Sequence, residues 1–150
     1  LQWEIGQPIE HVAAEHSGYG RLSAPVRHRR EVRYHRADGS WQVTDYLSTV
    51  AGGFQSHRLE WTLAFAPDCS LHPEGTGWHV VTSTQHLWLE GPRLSAADWS
   101  TEIHPQVELE EIALQYGVTC PAPFLRWSCV GPLPVKGTFA ISRRSPRLIG

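Results

Sequence analysis

Apolar and polar positions alternate with period two along most of this chain, which is the signature of β-strands with one buried face. The clearest stretch is "HRLEWTLAFAP", where Leu59, Trp61, Leu63 and Phe65 point one way and Arg58, Glu60 and Thr62 the other. Burying those four side chains contributes a gross ~6–12 kcal/mol before conformational entropy is subtracted. The pattern predicts a core strand of an antiparallel sheet with one solvated face, ended by Pro67 and Asp68.

The run from Val26 to Arg36 alternates less cleanly, with Val26, Val32 and Tyr34 on one side and Arg27, Arg29 and Arg33 on the other. "ADGS" follows, and Asp-Gly between two strand-like runs is a hairpin signal. "WQVTDYLSTV" then reads as the return strand, with Trp41, Val43 and Leu47 inward. "AGGFQS" turns the chain again before Leu59, so the expectation is a meander of three strands, the minimum for an independently stable sheet.

Further short strands are expected near residues 9 to 16, 78 to 84, 86 to 90, 106 to 114, 123 to 130 and 135 to 142. "PEGTG", "EGP", "CPAP" and "GPLP" punctuate them. Ser95 and Asp98 in "SAADWSTEI" suit a short helical turn. "ELEEIALQY" fits an amphipathic helix through Leu109, Ile112 and Ala113, but its β-rich neighbourhood favours a strand. No internal repeat or low-complexity linker interrupts the pattern. The expected fold is all-β: one antiparallel β-sandwich domain over residues 1–150, with two packed sheets of about 8–10 short strands.

Composition narrows the function classes. A hydrophobic fraction of 41% and a charged fraction of 19% belong to a folded domain. No apolar run approaches the ~20 residues of a membrane-spanning helix. The chain opens without Met on "LQWEIGQPIE" and without a signal-peptide pattern, which reads as a fragment or processed product and leaves its location open. A net charge of −2 argues against a general nucleic-acid binder. Basic character is local: Arg27, Arg29, Arg30, Arg33 and Arg36 cluster, and Lys136 is the only lysine. Arginine suits bidentate contact with carboxylate or sulfate. The same residues would also serve to keep the outer face of a strand soluble.

Other catalytic and metal-binding signatures are missing. Cys69, Cys120 and Cys129 form no CxxC pair, and Cys129 alternates with Leu125 and Trp127 as a small buried hydrophobe would. His11 and His16 lie five apart, on opposite faces of a strand, and His72, His79, His86 and His104 fall in or near expected loops. There is no HExxH or GxSxG, and Glu108, Glu110 and Glu111 read as a solvated face.

Two stretches resemble the heparinase II/III-like polysaccharide lyases. "AAEHSGYGRLSAPVRHRREVRYHRADGSWQVTDYL" is similar to a His-x-Gly-Tyr stretch, an Arg-Leu, a His-Arg-Arg strand and a hairpin return ending in Asp-x-Leu. The matching positions are His16, Gly18, Tyr19, Arg21, Leu22, His28, Arg29, Arg30, Asp45 and Leu47. "HRLEWTLAFAP" and "QYGVTCPAPFLRWSCVGPLP" are similar to later segments of the same domain. The resemblance implies the C-terminal β-sandwich of a larger lyase that cleaves uronic-acid-containing polysaccharide by β-elimination. Its partners would be an N-terminal α/α toroid of the same protein and acidic polysaccharide, and its setting periplasmic or secreted.

The family's catalytic Asn, His and Tyr belong largely to the toroid, and its "DPG-x-Y" and "AHN" stretches do not occur here. The reading therefore assigns this chain no catalytic residue, no metal and no cofactor. It places His16, Tyr19, Arg21, His28 and Arg30 at the substrate cleft or at the interface with the toroid. The alternative is an autonomous carbohydrate-binding module for anionic polysaccharide, with Trp3, Trp78, Trp88 and Trp99 as stacking platforms. A general adhesion module of immunoglobulin-like type comes third.

Overall fold

The computed structural model describes residues 1–50, 55–95, 103 and 105–143. Eleven strands run through the described residues: β1 Gln2–Glu4, β2 Ile9–His16, β3 Val26–His35, β4 Ser40–Thr49, β5 Ser56–Ala64 and β6 Ser70–Glu74, followed by β7 Gly77–Val81, β8 His86–Ser95, β9 Pro105–Gln115, β10 Val118–Pro132 and β11 Val135–Ser142. A 3-10 turn, Gly18–Arg21, links β2 to β3. The sandwich expected from the alternation is present: an eight-stranded antiparallel sheet in the order β1-β2-β3-β4-β11-β8-β7-β6 faces a three-stranded sheet in the order β5-β10-β9.

The β3–β4 hairpin forms where "ADGS" places it. Gly39 takes a φ of +69, which a glycine adopts without steric cost, and the Asp38 carboxylate accepts the Ser40 N–H at 2.9 Å. The expected three-stranded meander does not form. Both edges of β4 are taken, by β3 and by the distant β11, so β5 leaves for the opposite sheet and pairs with β10. The crossing lets the apolar side of β5 roof the apolar side of β4, which pairing in the same sheet would not do. β6, an edge strand that carries Pro73, is not among the strands expected from the alternation. The turn expected at 51–54 and most of the "SAADWSTEI" segment lie outside the described residues.

Leu59, Trp61, Leu125, Trp127 and Cys129 face Leu47, Leu89, Val135 and Phe139 across the two layers. Trp127 and Trp61 each meet the Phe139 ring edge-on, at 5.4 and 6.4 Å between centroids. Three strands cannot cover eight, so the inner face of β1–β3 is open beside β5. Register carries Trp3, Val12, Val32 and Val43 along one row of that face and Tyr34 and Trp41 along the next. Trp41 shares the inward side of β4 as expected but is 44% exposed, because nothing in the small sheet reaches it.

Candidate functional site

At the border between the covered and open parts of this face lies a buried carboxylate. Asp45 occupies an inward position of β4 and is fully inaccessible to solvent. It accepts hydrogen bonds from four donors. Arg30 of β3 donates through Nε at 2.7 Å and Nη2 at 2.8 Å, His28 through Nε2 at 2.7 Å, and the Trp61 indole N–H of β5 at 3.0 Å. Four donors saturate an ionised carboxylate, which is how such a group tolerates burial. Burial alone would raise its pKa, but the hydrogen bonds from Arg30 and His28 and the Arg30 charge outweigh it and hold the group at about 2. Reciprocally, the hydrogen bond from Arg30 raises the guanidinium's pKa.

The strand registers explain the convergence. Arg30 pairs directly with Asp45 across β3–β4, and Gly137 of β11 pairs with Asp45 on the other side. A Cβ on Gly137 would meet the Trp61 ring at 2.9 Å. Glycine there lets the indole pack close against β11 with its N–H bonded to Asp45.

A chain of hydrogen bonds runs outward from this anchor. His28 Nδ1 lies 3.0 Å from His16 Nε2, and His16 Nδ1 accepts the Gly18 N–H at 3.1 Å. The tautomers follow from the ends. Asp45 is ionised, so His28 Nε2 carries the proton and Nδ1 accepts. His16 must then donate from Nε2, which leaves its Nδ1 free to accept from Gly18. Every group is satisfied with both imidazoles neutral. The Tyr19 ring closes the cluster, 5.1 Å from His16 and 6.1 Å from His28 between centroids. A cavity of about 510 Å³ opens beside it, with Tyr19, His28, Arg30 and Asp45 on one wall and His57, Arg58 and Trp61 of β5 on the other. The His57 Nε2 atom is buried without a hydrogen-bond partner.

Of the residues singled out in the sequence, His16, Tyr19, His28 and Arg30 come together here. Arg21 does not: it is exposed on the 3-10 turn and bonds to none of the described residues. Sequence reasoning missed the centre, Asp45. A carboxylate at an inward position between Val43 and Leu47 was the signal, since such a group must find donors. Trp61 was read as core only, although a buried indole N–H also needs an acceptor.

Every arginine of the cluster has an acidic partner, four carboxylates serving five guanidinium groups. On the outer face Arg27 pairs with Glu15 at 3.3 Å, and Arg29 and Arg33 pair with Glu31 at 3.0 and 3.4 Å. Arg36 pairs with Glu10, and Arg30 points inward to Asp45. Of the scattered histidines, His79 and His86 sit in the expected strands β7 and β8, His72 lies in β6, where no strand was expected, and His104 lies outside the described residues. Trp78 and Trp88 are 9% and 6% exposed and cannot act as stacking platforms; Trp99 lies outside the described residues. The three cysteines are free thiols.

The family model described as "Heparinase II/III-like, C-terminal" matches residues 4–122. No curated protein matches the chain. Among solved structures, the heparan sulfate lyase HepC from Pedobacter heparinus is similar at a TM-score of 0.73 and 11% identity, over 97% of this chain and 22% of that one. A heparinase III, the BT4657 gene product, is similar at a TM-score of 0.65 and 14% identity, again over 97% and 22%. The chain thus spans about a fifth of the length of those structures, and the likeness is one of fold.

Proposed function

This chain belongs to the heparinase II/III-like C-terminal family, and from that premise we propose that it is the non-catalytic β-sandwich of a larger polysaccharide lyase. In this reading residues 1–150 form one domain. Its open inner face meets an N-terminal toroid of the same protein, and His16, Tyr19, His28 and Arg30 lie at the substrate cleft or at that interface. The parent enzyme would cleave an acidic polysaccharide by β-elimination. There the hard step is removing a weakly acidic C5 proton while the neighbouring uronate carboxylate is neutralised.

One observation carries the reading. Asp45 fixes His28 and Arg30 from beneath, so their outer atoms and Tyr19 are held in place at the rim of the open face. Such pre-ordering suits a surface that must fit another body, because little side-chain entropy remains to be lost on docking. Proton abstraction by these groups alone lacks support. Both imidazoles are committed to hydrogen bonds at both nitrogens, leaving no free base among them.

The test is an eliminase assay on the isolated chain with several uronate polysaccharides, following the absorbance of the unsaturated product. No turnover is expected, and robust turnover refutes the reading. In the parent enzyme, Tyr19→Phe and His16→Ala should lower kcat/KM or loosen the two domains without abolishing the folding of either.

A second reading, an autonomous carbohydrate-binding module, rests on Trp41. It stacks on Tyr34 at 4.5 Å between centroids and is 44% exposed on the uncovered face. Affinity electrophoresis in acidic and neutral glycans at two salt concentrations separates the two. Binding that survives salt favours stacking on aromatic rings.

A further inference from the structure

Two pairs of histidines in this protein meet nitrogen to nitrogen at almost the same separation, His16 with His28 at 3.0 Å and His79 with His86 at 3.1 Å. Their surroundings differ. The outer nitrogens of the first pair are occupied by the Gly18 N–H and the Asp45 carboxylate. The second pair uses His79 Nε2 and His86 Nδ1, and among the described residues neither His79 Nδ1 nor His86 Nε2 has a hydrogen-bond partner.

The second pair sits on the outer face of the β7–β8 hairpin. His79 is opposite Trp88 and His86 opposite Val81, so the two imidazoles are diagonal neighbours on one face, 5.1 Å apart between ring centroids. The turn beneath them is tied: Thr82 Oγ1 accepts the N–H groups of Gln85 at 2.9 Å and Thr84 at 3.2 Å, and the Thr82 N–H donates to the Gln85 carbonyl at 2.9 Å. His86 is exposed and His79 half-buried, so the facing nitrogens are within reach of an ion from solvent.

We propose that His79 Nε2 and His86 Nδ1 chelate a borderline divalent transition-metal ion such as Cu²⁺, Ni²⁺ or Zn²⁺. Imidazole–metal bonds of about 2.0–2.1 Å in tetrahedral geometry place two ligand nitrogens about 3.3 Å apart, close to the separation already present. Binding requires both facing nitrogens to offer lone pairs, whereas one of them now carries the bridging proton. That proton moves through solvent to the open outer nitrogen of its own ring, so each ring stays neutral and no net proton is released. The His16–His28 pair has no such route, because the outer nitrogen of His16 faces an N–H donor.

Imidazole selects copper, nickel and zinc, while calcium and magnesium require oxygen ligands. His72 of β6 lies opposite His79, but its ring is 6.5 Å away and its Nε2 bonds Ser70 Oγ at 3.2 Å. No three donors converge among the described residues, so water completes the coordination sphere.

The experiment is calorimetric titration of the chain with CuCl₂ in a non-chelating buffer near neutral pH, with CaCl₂ and MgCl₂ in parallel. One saturable site is expected with copper and none with the hard cations. His79→Ala and His86→Ala should each weaken it at least about tenfold, since loss even of an outer-sphere partner costs that much, and His35→Ala should leave it unchanged. Circular dichroism reports the fold of each variant. Electron paramagnetic resonance of the wild-type copper complex gives an independent readout, in which superhyperfine lines from two imidazole nitrogens are expected. Absence of those lines, or a saturable site that persists in the His79→Ala/His86→Ala double variant, overturns the proposal.

Discussion

His28 Nε2 lies 2.7 Å from Asp45 Oδ1, and through His16 and the Gly18 N–H this bond links an exposed 3-10 turn to a carboxylate that no solvent reaches. Whatever the turn does is therefore coupled to the stability of the sandwich beneath it.

Asp45→Asn is expected to destabilise the protein by about 3–5 kcal/mol, the scale for removing one partner of a buried pair. The amide cannot substitute, because its NH₂ would face a donor from Arg30 or Trp61. Urea unfolding with an unchanged m-value measures the loss. The group's folded pKa of about 2 lies below its ordinary 3.8, so its contribution is complete above pH ~4 and disappears as the pH falls through 2. The shift corresponds to roughly 2 kcal/mol. The wild type should lose that component between those limits and Asp45→Asn should not.

Nitrogen-detected NMR at neutral pH should find both His16 and His28 as Nε2–H tautomers. An Nδ1–H signal from either would show that the relay from Gly18 to Asp45 runs otherwise. Gly18→Ala should speed exchange of the residue 18 amide, because its Cβ would lie 3.0 Å from His16 Nδ1.

Gly137→Ala is expected to cost about 1–3 kcal/mol by overpacking against Trp61. Shifting the indole also lengthens its bond to Asp45, so the change should appear in Trp61 fluorescence as well as in the unfolding midpoint.

Arg27→Ala and Arg30→Ala, three residues apart in one strand, should differ sharply. Arg27 holds a solvated pair with Glu15, and its loss should change stability by under about 0.5 kcal/mol. Arg30 supplies two of the four bonds on Asp45, and its loss should cost about 2–3 kcal/mol, below the full buried-pair range because the guanidinium is half exposed. Equal effects of the two substitutions would contradict the division of the arginines between the two faces of β3.

Period-two alternation by itself determined that this is an all-β sandwich, which side of β5 is buried, and where the β3–β4 hairpin turns, because those depend on neighbours in the chain. Resemblance to a known family, not alternation, marked His16, Tyr19, His28 and Arg30, through the order of residues around "EHSGYG" and "RHRR". Tertiary structure alone decided which strands share a sheet: β11 outcompeted β5 for the edge of β4, a contest between segments far apart in sequence that local pattern does not register. It likewise decided that Asp45 is the hub. The donors from β3 and β5 meet on a carboxylate of β4 only once two sheets are stacked, and burial then turns an ordinary acidic side chain into the anchor of the cluster.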